Sequence, residues 1–190
     1  MNTAISDPTQ LEPEADQELD FSGGVRGSQQ QKYALSLAGE FYVAAELNRR
    51  GIFASVTYGA AKNADVLAFD QQSRQTAVIE VKTTAIPNKK WLTGLHSIDK
   101  NSIDPQLFWV LVLAPGKEDT LSAPRFFVFT SQELVEKVSA NHTIYSTAYL
   151  ERNGVQFQDS RGVYSLLLSE AEAMQAEGQW GKIANWLARK

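Results

Sequence analysis

Two strand-forming segments, Ala64 to Asp70 (ADVLAFD) and Thr76 to Lys82 (TAVIEVK), are separated by only four polar residues, Gln71-Gln72-Ser73-Arg74. So short a polar break between β-prone runs specifies a hairpin. Side chains alternate faces along a strand, so Glu80 and Lys82 stand on one side and Ile79 and Val81 on the other. If Asp70 faces Gln75 across the turn, regular antiparallel pairing carries Asp65 opposite Glu80. Directly opposed residues have Cβ atoms about 5 Å apart, where like charges repel unless a cation neutralises them. The turn lacks the Asn-Gly or Asp-Gly signature of a tight hairpin. A one-residue slip would turn Asp65 to the other face.

Upstream, Gln29 to Arg50 carries apolar or aromatic residues at Tyr33, Leu37, Phe41, Ala44 and Leu47, the spacing of a helix with one buried face. Gly51 is its C-terminal stop. Glu40 falls three residues after Leu37 and four before Ala44, beside the inward stripe, where a charge requires a partner. Gly39 lets the helix approach a sheet closely, at a cost of about 1 kcal/mol in helix propensity.

Taken in order, Gly39-Glu40 on a helix, Arg50-Gly51 before a strand, Ala64-Asp65-Val66 and Ile79-Glu80-Val81-Lys82-Thr83-Thr84 resemble the PD-(D/E)XK nuclease superfamily, which includes restriction endonucleases and Holliday-junction resolvases. The resemblance spans roughly Ser36 to Thr84, with a looser echo in Leu107 to Leu113 and Arg125 to Val128; Ala64 stands where many members have proline. It implies an α/β restriction-endonuclease-like core, a mixed central sheet flanked by helices. It also implies a Mg²⁺-dependent endonuclease acting on DNA, with Mn²⁺ able to substitute and RNA the lesser candidate, in restriction, repair or phage defence. Asp65, Glu80 and the Val81 carbonyl would hold the ion, Glu40 would join through water or a second ion, and Lys82 would orient the attacking water. Oxygen ligands and retained waters suit Mg²⁺. A lone Glu-X-Lys on a strand is usually a solvated ion pair. A member of the superfamily can also survive as an inactive nucleic-acid- or protein-binding module, for example in a defence complex, and that is the alternative reading.

The net charge of -4 sits oddly with a DNA partner until it is divided along the chain. Residues 1 to 24 contain six acids (Asp7, Glu12, Glu14, Asp16, Glu18, Asp20) and no Lys or Arg, so of 18 bases and 22 acids overall the remainder holds two more bases than acids. Residues 1-28 therefore read as an acidic arm, disordered or loosely docked, and 29-190 as a single nuclease-like domain. Lys89, Lys90 and Trp91, on a loop at the end of the site strand, and Arg50 are candidate nucleic-acid contacts. Lysines would meet phosphates and Trp91 would stack on a base, although Trp91 also suits a place covering the core edge. Arg49 and Arg50 are equally favoured by the helix dipole.

With no cysteine and two histidines, His96 and His142, neither disulfides nor a zinc cluster is expected. No long apolar run or basic-then-apolar start occurs, so a membrane span is not expected and cytoplasmic residence is the default. Leu107 to Leu113 reads as a buried central strand and Arg125 to Phe129 as another. Thr130 to Glu133 opens a helix with a capping box. Thr143 to Tyr149 and Val163 to Leu168 read as further strands. The terminal helical stretch, with Trp180, Ile183 and Leu187, packs on the sheet, and a homodimer or a complex partner is compatible with it.

Overall fold

The computed structural model describes residues 28–57, 64–85, 90–94, 103–117, 119, 121–157 and 163–189. Residues 1–27 of the acidic arm, Lys89, His96, Asn101 and Ser102 lie outside them. In chain order the elements are α1 (Gln29–Arg49), β1 (Phe53–Val56), β2 (Val66–Phe69), β3 (Thr76–Thr84), β4 (Lys90–Gly94), β5 (Leu107–Leu113), β6 (Arg125–Thr130), α2 (Ser131–Asn153), β7 (Val163–Leu167), α3 (Glu170–Ala176) and α4 (Gly181–Leu187). Five strands form one sheet in the order β1-β2-β3-β5-β6. The β3–β5 pair is parallel and the other neighbours are antiparallel, so the sheet is mixed, and helices flank it. Strands β4 and β7 pair separately.

The sheet separates two cores. On one face Val43 and Leu47 of α1 and Ile183 and Leu187 of α4 pack against Val66, Ile79, Val81 and Val110. On the other, Trp91, Trp109, Leu111 and Phe127 meet Leu134 and Val138 of α2. Strand β5 feeds both, Phe108, Val110 and Val112 to the first core, Trp109 and Leu111 to the second. A continuous apolar run without alternation is the pattern of a strand covered on both faces.

The β2–β3 hairpin has the expected register, Val66 opposite Ile79 and Phe69 opposite Thr76. The signal that sets it lies in Asp70. Its Oδ1 accepts the N–H groups of Gln72 and Ser73 at 2.9 and 2.6 Å, and its own N–H donates to the Gln75 carbonyl at 3.1 Å. Arg74 closes the loop in the left-handed region, φ 60°. Asp-to-backbone hydrogen bonds of this kind mimic a turn without needing Asn-Gly. They hold the Asp70 carboxyl below the usual carboxylate range, the Ser73 N–H contributing most.

Three expectations are corrected. Helix α1 buries Gly39, Val43, Ala44 and Leu47, whereas Tyr33 and Phe41 are 69 and 47 % exposed. A Cβ on Gly39 would lie 1.8 Å from Thr83 Oγ1, so it is this close approach that turns the helix and brings its small residues to the sheet. Thr143 to Tyr149 belongs to α2, not to a strand. Reciprocal Thr130–Glu133 capping starts that helix and the left-handed Gly154 ends it, and cooperative helix between two strong caps outweighs local β-propensity. Lys90 and Trp91 are not in a loop but open β4, paired with Leu167 and Leu166.

Candidate metal centre

Helix α1 starts with reciprocal capping by Ser28 and Gln31. Eleven residues further on, Gly39 rests on Thr83, the residue after Lys82, and this contact carries Glu40 to the end of β3. Glu40 is partly buried. Burial, followed by the nearby charge of Asp65, raises its carboxyl above the ordinary glutamate value, while Lys82 acts in the opposite direction. Asp65 and Lys82 thus lie within electrostatic reach of Glu40.

Asp65 stands just before β2, where regular pairing breaks. In an unbroken ladder the Val81 N–H would meet the Ala64 carbonyl. That carbonyl is instead taken by the Thr57 hydroxyl, and the Asp65 carbonyl by the Thr57 N–H at 2.9 Å. The Asp65 N–H donates to the Ile79 carbonyl at 3.0 Å. Left without a backbone partner, the Val81 N–H donates to Asp65 Oδ2 at 2.7 Å. The carboxylate is therefore tied to the strand that bears Glu80 and Lys82.

Glu80 is 3 % exposed. Lys82 Nζ lies 3.4 Å from Glu80 Oε2 and 5.5 Å from the centre of the Trp109 ring. An ammonium over an indole face gains from the ring quadrupole, so Trp109 steadies Lys82 from beneath. The sequence reading did not single out Trp109, Thr57 or Thr83; their roles depend on neighbours across the sheet and leave no local signature.

Among the described residues no three His, Asp or Glu side chains gather closely enough to hold an ion by themselves. Glu40 enters from the α1 side, whereas Glu80 stands with Lys82 on the α2 side. The donors available, carboxylates of Asp65 and Glu80 and the Val81 carbonyl with Glu40 nearby, are all hard oxygens. Mg²⁺ uses one or two carboxylates and keeps several waters, so this donor set fits it, and the mutual repulsion of Glu40 and Asp65 is what a cation would relieve.

The expected nucleic-acid contacts fare differently. Trp91 is 1 % exposed. Its indole N–H donates to the Val112 carbonyl at 3.1 Å and its ring meets Phe127 edge-on at 5.4 Å; it is a core residue with no face left for a base. Lys90 is exposed at the start of β4. Arg50, exposed at the end of α1, pairs with Glu46 at 2.8 Å and lies 5.6 Å over the Trp180 ring. No helix among the described residues is long and apolar enough to cross a membrane.

The sequence matches no family model and no curated protein. Among solved structures, the bacterial homing endonuclease I-Ssp6803I aligns at 11 % identity over 84 % of this chain and 95 % of its own, with a TM-score of 0.47, a likeness too distant to carry an argument.

Proposed function

We propose that this protein is a Mg²⁺-dependent nuclease of the PD-(D/E)XK kind, hydrolysing phosphodiester bonds in DNA. One observation carries the reading: the β2–β3 register that ties Asp65 to Val81, with Lys82 beside Glu80 on the same strand. Asp65, Glu80 and the Val81 carbonyl would hold the ion, Mn²⁺ being an acceptable substitute, and Glu40 would join through water. When bound, the ion would lower the pKa of a coordinated water and offset charge on the phosphoryl oxygens. Lys82, held between Glu80 and the Trp109 ring, would orient the attacking water and donate to a phosphoryl oxygen as negative charge grows there. Asp65 stays tied to the same strand through its bond from the Val81 N–H.

The test is cleavage of supercoiled plasmid and of matched RNA in Mg²⁺ or Mn²⁺ by wild type, Asp65→Asn and Lys82→Met. Metal-dependent nicking of DNA by wild type alone supports the reading; equal activity in either variant sinks it. A second reading, a non-catalytic binding module of the same fold, is favoured by the absence of a three-carboxylate group among the described residues. A metal-induced rise in the wild-type Tm that Asp65→Asn lacks would argue for a formed metal site, and no shift at millimolar metal for the module.

A further inference from the structure

A cleft of about 450 Å³ opens between the C-terminal half of α1 and the segment entering β6, lined by Tyr42, Glu46, Arg49, Arg50, Arg125 and Trp180. Arg49 donates from Nε and Nη2 to both oxygens of Glu46 at 2.8 and 2.9 Å. Arg50 reaches the same carboxylate from Nε at 2.9 Å and from Nη2 at 2.8 Å. On the other wall Arg125 forms a bidentate pair with Glu177, both contacts at 2.7 Å. Among the lining residues three guanidiniums thus share two carboxylates, an excess of one positive charge, with Glu170 outside the lining also acting on Arg125. Each of these pairs engages the Nε and Nη2 edge of the guanidinium, which leaves the Nη1 edge available to a further acceptor. The Arg50 guanidinium carbon lies 5.6 Å from the Trp180 ring centre and that of Arg125 5.4 Å from the Phe127 ring centre, which limits their movement.

We propose that this cleft binds a backbone phosphate of a nucleic-acid strand, which deepens, and rests on, the reading of the protein as a nuclease. Planar guanidinium forks match phosphate geometry, and forks already locked by carboxylates lose little entropy on binding. The side chains of Arg49, Arg50 and Arg125 remain 68, 38 and 41 % exposed. Pockets for small ligands bury most of the ligand surface; one this open suits a phosphate carried on a polymer.

The experiment is fluorescence anisotropy of a short labelled DNA duplex in EDTA, where cleavage is silent, across a range of salt. Arg50→Gln with Arg125→Gln should weaken binding about tenfold and reduce the slope of log K against log salt by about two, one for each phosphate-contacting cation removed. Glu177→Gln, which frees the Arg125 fork and removes a negative charge, should tighten it. Exposed ion pairs contribute little to folding, so the variants should keep the wild-type Tm to within a few degrees. An unchanged affinity and slope in the arginine variant, or weaker binding in Glu177→Gln, overturns the proposal. So does a Tm rise with inorganic phosphate that depends on these arginines while duplex binding does not. Failure of the nuclease reading is separable: wild type that binds with the expected slope but never cleaves in Mg²⁺ removes the catalysis and keeps the cleft, whereas cleavage with unaltered binding by the arginine variant removes the cleft alone.

Discussion

Asp65 Oδ2 accepts the backbone N–H of Val81 at 2.7 Å, so one carboxylate both ends the β2–β3 ladder and stands at the proposed metal centre. Charged hydrogen bonds of this type stabilise by about 1.5–3 kcal/mol. Asp65→Asn keeps an acceptor for the Val81 N–H and loses the charge; it should melt within a few degrees of wild type yet show no metal-induced stabilisation. Asp65→Ala loses both and should be about 2 kcal/mol less stable in urea denaturation. Equal stability of the two variants would contradict the double role.

Lys82 offers a sharper separation of charge from packing. Its ammonium lies over the Trp109 ring and meets Glu80. Lys82→Met retains an apolar chain over the indole while removing the ammonium, so plasmid cleavage should vanish with the circular-dichroism spectrum unchanged. Lys82→Arg restores charge but not a compact point donor, and less than a tenth of wild-type activity is expected from it.

Gly39 makes a prediction with a built-in rescue. A methyl there would meet Thr83 Oγ1 at 1.8 Å, Cβ at 2.9 Å and Cγ2 at 3.0 Å. Overpacking of this kind costs about 1–3 kcal/mol, only partly offset by roughly 1 kcal/mol of helix propensity. Gly39→Ala should therefore lower the Tm and, by pushing α1 outward, remove Glu40 from the centre. Adding Thr83→Ala should recover much of both, since only the 2.9 Å contact persists. Alone, Thr83→Val should be neutral or stabilising, because Thr83 Oγ1 is a buried hydroxyl with no hydrogen-bond partner among the described residues.

The acid limb of stability has a local source in Glu172. Hydrogen bonding from Lys137, then from the Ser169 N–H, lowers its carboxyl from 4.5 to about 2. A depressed folded-state value means the stabilisation is complete above pH 4.5 and is lost as pH falls toward 2. The pair is partly solvated, 33 and 29 % exposed, so its contribution is about 1 kcal/mol. The Tm gap between wild type and Glu172→Gln should be constant above pH 4.5 and close between 4.5 and 2; a gap unchanged across that window would refute the assignment.

Legibility in the sequence follows how local each cause is. Strand alternation put Glu80 and Lys82 on one face, and capping marked Thr130 as a helix start, because both depend on residues within a few positions. Asp70, whose carboxylate organises the hairpin turn, is equally local, but it works without the glycine that marks a tight hairpin. Aromatic spacing points to the wrong inward face of α1: Tyr33 and Phe41 are the larger apolar groups, yet Gly39 against Thr83 decides which side meets the sheet.

Short-range periodicity and turn chemistry specify most of the α/β elements, the hairpin register and the parity of its charged residues. Packing across the sheet placed Trp91 in the core and turned the Asp65 carboxylate onto Val81. Each of those outcomes depends on partners far away in the chain, Val112 and Phe127 for the indole, Thr57 for the broken ladder, and packing between such partners is not encoded in any window of neighbouring residues.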